Sequence, residues 1–256
     1  MINFLCKLSL LSVLLALGTG CATVKSPDER DPWESFNRSM YEFNDTFDRA
    51  IARPVAQAYK DYMPGFVRNG VTNVFSNLDD VIVVINDILQ FKFEQAAMDF
   101  ARLIVNSIVG IFGLFDVATH FGLPKHNEDF GQTLAAWGVG DGPYLVLPFL
   151  GPKNVRDTVG MVADWQIDPV LQVSDDEARW GLTLLRAIDT RTDLLEATNT
   201  MEKSGLDPYV FMRDAYFQFR LNRIHDGNPP REKLKEPSKE DRLLEQDLEK
   251  ELQGLQ

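Results

Sequence analysis

The chain has 256 residues, 45% of them hydrophobic and 25% charged, with a formal net charge of -12. That acidity argues against nucleic acid as a partner, because phosphate contacts need clustered Lys and Arg, and against an electrostatic grip on anionic lipid. The only cysteines are Cys6 and Cys21, so no disulfide is expected to staple the fold.

Residues 1–20 read as a signal peptide. One cation, Lys7, precedes an apolar run over 8–17, and Gly18-Thr19-Gly20 lead into Cys21. Cleavage before Cys21 leaves a cysteine at the new N-terminus, the arrangement of a bacterial lipoprotein, and losing Lys7 takes the net charge from -12 to -13. The thiol then carries a diacylglycerol and the amine a further acyl chain. Each buried methylene contributes about 0.8 kcal/mol, so three chains form a near-permanent anchor. Gly18 stands where lipoprotein signals usually carry an aliphatic residue, which leaves ordinary cleavage nearby or an uncleaved anchor as alternatives. The apolar run falls short of the roughly 20 residues of a comfortable span. Ala22 after the cysteine favours sorting to the outer membrane.

A polar linker over 21–30 is expected to lead into the first helix, with Asp31 as N-cap and Pro32 at the first helical position. Trp33, Phe36, Met40, Phe43 and Phe47 recur at steps of three and four, an amphipathic pattern that Pro54 is expected to close. A short helix follows over 55–62. Asn77 is then expected to cap a helix over 77–90, about 20 Å long, and a second helix is expected over 93–115. Its uncharged part, 104–115, is about 18 Å long. Neither segment crosses a hydrocarbon core of roughly 30 Å. They are either two buried core helices or a pair lying in one leaflet, and both readings stand at this point.

Residues 129–152 differ in texture. Gly138, Gly140, Gly142 and Gly151 alternate with Pro143, Pro148 and Pro152, which forbids regular helix over the second half. Yet Tyr144, Leu145, Val146, Leu147, Phe149 and Leu150 are too apolar for a solvated loop. An irregular hairpin, buried or facing the membrane, is predicted here, packed against the 93–115 helix. Helices resume with Asn154 as a cap. A Ser174/Glu177 capping box opens a long helix expected to stop at Gly205. Asp207-Pro208 opens a last helix, which ends before Asp226-Gly227. The charged segment 228–256 is expected to be mostly disordered. The fold class is therefore all-α, about six or seven helices with one apolar Gly/Pro hairpin.

Signals for chemistry are weak. No Gly-x-Ser-x-Gly elbow, Walker loop or His-Glu-x-x-His pair occurs. His126, Glu128 and Asp129, with His120 nearby, have zinc-ligand chemistry but match no established spacing, so a loop cap and a solvated turn are expected. Asp116, Asp157 and Asp164 are candidate buried carboxylates, more simply explained as helix caps or arginine partners. Asp157 beside Arg156 is expected to tie the base of the hairpin to a helix start. No catalytic residue, cofactor or metal is expected.

Four ordered blocks carry a family resemblance: DPWESFNRSMYEFND (31–45), RPVAQAYKDYMPGFVRNGVTNVFSNL (53–78), FGQTLAAWGVGDGPYLVLPFLGP (130–152) and DPYVFMRDAYFQFR (207–220). The chain resembles the MlaA (VacJ) family of outer-membrane lipoproteins over 31–227. The resemblance implies a ring of helices embedded in one leaflet, with an amphipathic channel through which phospholipid leaves the outer leaflet. It also implies a trimeric porin and a periplasmic, MlaC-like lipid carrier as partners. On that basis Cys21 is the lipidation site. Gly138, Gly140, Asp141, Gly142, Pro143 and Tyr144 are candidates for a channel or gating loop. Ile108, Ile111, Phe112, Leu145, Leu147 and Phe149 are candidates for contact with the membrane.

Overall fold

The computed structural model describes residues 28–203 and 207–230. Cys21, Gly205 and the charged tail beyond residue 230 lie outside them. The fold is all-α apart from one two-stranded sheet. In chain order the elements are α1 (Glu34–Phe47), a π-helical turn (Asp48–Ala52), α2 (Arg53–Tyr62), α3 (Gly65–Leu89), α4 (Phe93–Ile108), α5 (Val117–His120) and α6 (Phe130–Ala136). The hairpin strands β1 (Tyr144–Leu147) and β2 (Gly151–Asn154) follow, then α7 (Val155–Asp164), α8 (Asp176–Asp193), α9 (Leu195–Lys203) and α10 (Pro208–Ile224). The chain divides into two compact units, Met1–Tyr216 and Phe217–Gln256. In the second, the Arg223 guanidinium lies 4.7 Å from the Phe219 ring centroid.

Several boundaries differ from expectation, each for a physical reason. Asp31 does not cap α1, whose N-cap is Trp33. Asp31 is instead fully buried, accepting hydrogen bonds from Asn37 Nδ2 (2.8 Å) and the Tyr209 hydroxyl, with Arg213 at 3.3 Å. Pro54 does not end the helix. The π turn just before it carries the chain from α1 into α2, and Arg53 N–H donates to Asp48 O across it. The wider turn absorbs the hydrogen bond that proline cannot make. Asn77 lies inside the 25-residue α3 rather than at its start, and is buried against α4 with its Nδ2 donating to Ser107 Oγ at 2.9 Å. The α4 helix ends at Ile108, short of 115. The long C-terminal helix opens on Asp175, not Ser174, and breaks at Leu194 into α8 and α9. Asn154 caps α7 as expected, accepting from Asp157 N at 2.6 Å, and the Asp207 carboxylate accepts from Tyr209 N at 3.0 Å beside Pro208.

The Gly/Pro segment is more regular than predicted. It contributes α6 and then an antiparallel hairpin in which Tyr144 faces Asn154 and Leu147 faces Gly151. A lone two-stranded hairpin is marginal in water. This one is seated on α1, not on the 93–108 helix, and two asparagines hold it there. Asn37 donates to Tyr144 O (3.0 Å) and accepts from Val146 N (2.9 Å). Asn44 donates to Leu147 O (2.9 Å) and accepts from Phe149 N (2.7 Å). Seven helical residues rise about 10.5 Å and three strand residues span about 10 Å, so the two asparagines match the strand's own spacing. The Phe149 ring then meets Phe43 and Phe47 edge to face, with centroids 5.2 and 5.0 Å away.

Asn37 is buried whereas Asn44 is near the exposed tip, so the two clamps should differ in strength. Asn37→Ala orphans buried backbone groups and is expected to cost about 3 kcal/mol, against about 1 kcal/mol for Asn44→Ala. Thermal unfolding in detergent measures both, and equal losses would count against the clamp.

Candidate functional site

The polarity of the helical core is reversed. Among the described residues, polar and charged side chains outnumber apolar ones in the buried set, while many large apolar side chains are exposed. The reversal is sharpest along α3 and α4. On α4 the buried positions are Ala96, Asp99, Arg102 and Asn106, at helical steps of three and four. They meet Asn77, Asp80, Asn86 and Asp87 of α3.

Buried polar groups must find partners, and each of these residues has at least one. Asp80 is ion-paired to Lys125 and lies 3.6 Å from Arg102. Arg102 also donates to Thr119 Oγ1 and Leu123 O, both at 2.9 Å, and pairs with Asp116 at 2.8 Å. Burial alone raises Asp116, but hydrogen bonds from Thr119, Arg102 and Asn106 outweigh it and hold the carboxyl at about 2. His126 Nδ1 lies 2.9 Å from Asp99. Glu128 is buried rather than in a solvated turn, and accepts from Gln90, Lys92 and Gln95 at 2.8, 2.9 and 3.1 Å. Asp129 is the cap of α6, as expected for that cluster, through Gln132 N at 2.9 Å. Among the described residues no group of His, Cys, Asp and Glu is placed to hold a metal ion. Asp164 accepts from Asn86 and from Phe130 N, tying α7 to α3 and α6.

The opposite faces are apolar and open. Phe93, Phe100, Ile104 and Ile108 line the outer side of α4, with Ile108 74% exposed. Beyond it the backbone turns through Ile111 and Phe112, both at φ 54°, and Gly113 at φ 85°. Left-handed backbone at a bulky residue costs roughly 1–2 kcal/mol, and a β-branched isoleucine there is a clear outlier. Gly113 makes the turn possible, since a Cβ there would sit 2.5 Å from Asn77 Cβ. The strained turn projects Phe112, 81% exposed. Phe149 at the hairpin tip is exposed, whereas Leu145 and Leu147 are half-buried on the outer face of β1. No helix among the described residues is long and apolar enough to cross a membrane.

The loop candidates divide. Gly138, Gly140, Asp141 and Gly142 are exposed, with Gly138 and Gly142 at positive φ. Tyr144 is not in the loop. It is wholly buried in β1 against Tyr209 and Tyr216. The loop's far end is latched to α7: Arg156 pairs with the Asp141 carboxylate and donates its N–H to Asp141 O (3.1 Å), while Val155 N donates to Pro143 O (3.1 Å). Asp157 in turn holds Arg156 and receives the Tyr216 hydroxyl at 2.5 Å, which is the anchor expected of this pair. Sequence reasoning missed the exposed Phe66 and Phe91, which lie at element ends outside the long apolar runs.

Burial raises several carboxyls of the interior, Asp80 and Asp189 among them, and Asp87 and Asp164 link it to the neutral range of pH. Burial, then the hydrogen bond and charge shared with Asp99, push Asp87 up to about 8. Asp87 Oδ2 and Asp99 Oδ1 find no other donor among the described residues, so one proton held between them satisfies both. Burial also lifts Asp164 to about 6. Both stand above the usual value of about 3.9, so the fold holds protons that the unfolded chain releases. Their stabilisation is complete below about pH 4 and is lost as pH rises to about 6 for Asp164 and about 8 for Asp87. The melting temperature is therefore expected to fall from about pH 5 to about pH 8, and Asp87→Asn, which still donates to Asp99, to flatten the upper part. An unchanged slope in the variant removes the shared proton.

Comparison with known proteins agrees with this geometry. The MlaA lipoprotein family model matches residues 29–223. The chain is 41% identical over 215 residues to the intermembrane phospholipid transport system lipoprotein MlaA of Shigella flexneri and to that of Escherichia coli K12, covering 80% of this chain and 84% of each relative. It is 31% identical over 232 residues to the protein of the same name from Haemophilus influenzae, covering 86% of this chain and 92% of that one. A solved structure concerned with the structural basis for maintenance of bacterial outer membrane lipid asymmetry superimposes with a TM-score of 0.67 at 36% identity, covering 77% of this chain and 99% of its own. With most of its length matched by that family model, the chain belongs to the MlaA lipoprotein family.

Proposed function

We propose that this chain is an outer-membrane lipoprotein, acylated at Cys21, that removes mislocalised phospholipid from the outer leaflet and passes it to a periplasmic carrier of the MlaC kind. The observation that carries this reading is the reversed polarity: apolar faces outward on helices too short or too charged to span, around a hydrogen-bonded polar interior. Such a body is suited to lying within one leaflet, with Ile108, Ile111, Phe112 and Phe149 among acyl chains. A phospholipid needs a polar path for its headgroup and an apolar margin for its tails, and helices arranged as a ring supply both. Passage out of the wrong leaflet runs downhill, so no catalytic group is required. A trimeric porin as membrane partner belongs to the same proposal, as does the naming of the relatives in Shigella flexneri and Escherichia coli for phospholipid transport.

In this reading the loop 138–142 gates the passage, a role supported by the open space around Gly140 and by the Arg156 pair at Asp141. Deleting the gene is expected to raise outer-leaflet phospholipid and sensitivity to SDS with EDTA, with Cys21→Ala matching the deletion. Gly140→Pro is the suitable locking variant, because Gly142 stands at φ 66° where proline cannot. It should reduce clearance several-fold at normal protein level. Unchanged surface phospholipid in the deletion strain would leave a structural adaptor as the better account, and normal clearance by Gly140→Pro would dismiss the gate alone.

A further inference from the structure

A polar cavity of about 180 Å³ lies where the end of α2 and the first turns of α3 meet α8 and the start of α9. Its wall carries both signs of charge. Lys60 and Arg68 stand on one side, and Asp189, Asp193 and Glu196 come from α8 and α9. Most arginines of this protein are ion-paired, among them Arg53, Arg102, Arg156, Arg186 and Arg191. Around this cavity the pattern breaks. Among the described residues Lys60 and Arg68 close no ion pair with a carboxylate; Arg68 donates to the Lys60 carbonyl at 2.6 Å, and its charge acts on Asp189 across the cavity. The Asp193 and Glu196 carboxylates likewise meet no donor. Asp189 is buried and held in place by the Thr72 and Tyr59 hydroxyls at 2.8 and 3.2 Å.

Opposite charges that line one cavity and do not close on each other suit an occupant that carries both signs. The carboxylates are not gathered for a metal ion. The volume is several times a water's share of roughly 30 Å³, room for a headgroup but not for a pair of acyl chains.

We propose that this cavity is a headgroup subsite for a zwitterionic phospholipid, with the phosphate between Lys60 and Arg68 and the ammonium against Asp193 and Glu196. The proposal rests on the phospholipid-transport reading and adds to it a headgroup preference. A free phosphate ester bearing an amine shares this chemistry, so the test includes one.

Full-length protein in nanodiscs of equal phosphatidylethanolamine and phosphatidylglycerol is analysed for retained lipid by native mass spectrometry. The wild type is expected to keep phosphatidylethanolamine several-fold over phosphatidylglycerol. The double variant Asp193→Asn, Glu196→Gln should bring that ratio close to one, because only the ammonium contact is lost. Lys60→Met should lower retention of both lipids, since both carry the phosphate, and circular dichroism confirms that each variant is folded. No preference in the wild type, or a preference intact in the double variant, overturns the subsite. Binding of free phosphoethanolamine with no headgroup preference among lipids assigns the cavity to a soluble ligand and overturns it too. Surface phospholipid in the expressing strain separates the two failures. Normal clearance without headgroup preference removes the subsite alone, whereas absent clearance removes the transport reading and the subsite's role with it.

Discussion

The structure depends on a polar ladder buried between α3 and α4. Asn77 to Ser107, Asp80 to Arg102, and Asp87 with Asp99 and His126 lie along one interface, and Glu128 closes it with three donors. Leaving any of these groups unpaired costs more than its pairing contributes, so the ladder holds only if its members fit together. Once those faces are turned inward, Phe93, Phe100, Ile104 and Ile108 have only the outside to occupy. In water that arrangement forfeits roughly 25 cal/mol for each Å² of apolar surface left exposed. Within a lipid leaflet the penalty vanishes and the internal pairing is worth keeping.

The hairpin obeys a similar constraint. Too small to be stable alone, it borrows a second edge from α1, where two asparagine amides act as substitutes for strand backbone. Asp31 extends this junction toward α10 through Tyr209 and Arg213. The residues just before α1, the hairpin and the opening of α10 therefore share one hydrogen-bonded node. On the other side Arg156 and Asp157 join the loop before β1 to α7. The hairpin is thus held at both flanks, and Gly138, Gly140 and Gly142 lie exposed in the loop before it.

Surface and interior are coupled through single helices. Strain at Ile111 and Phe112 is maintained by Gly113 wedged against Asn77, itself a member of the ladder. The zwitterionic cavity beside α8 is a separate polar region, with charges not consumed by internal pairing. Together they describe a molecule with apolar side chains on its outer surface and polar, hydrogen-bonded ones inside.

By itself the sequence determined the helical class, the caps at Asn154 and Asp207, and the Gly/Pro hairpin as an apolar, irregular-looking insertion. These are legible because propensity and capping act over a few residues. Helical periodicity also located two faces on α4, but a period of 3.6 does not say which face turns inward. Burial of Asp99 and Arg102 is settled only when Asp87 and Asp80 arrive on a partner helix, and that of Asn106 when Asp116 and the Ala118 N–H reach it. Asp31 read as a cap because its acceptors' partners, Tyr209 and Arg213, are far away in sequence. Asn37 and Asn44 looked like polar spacing on an aromatic helix until β1 was laid against them. Tertiary structure decided these points because each depends on hydrogen bonds between separate elements, 30 residues apart for Asn77 and Ser107, 107 for Asn37 and Tyr144 and 178 for Asp31 and Tyr209, whose free energy has no local trace.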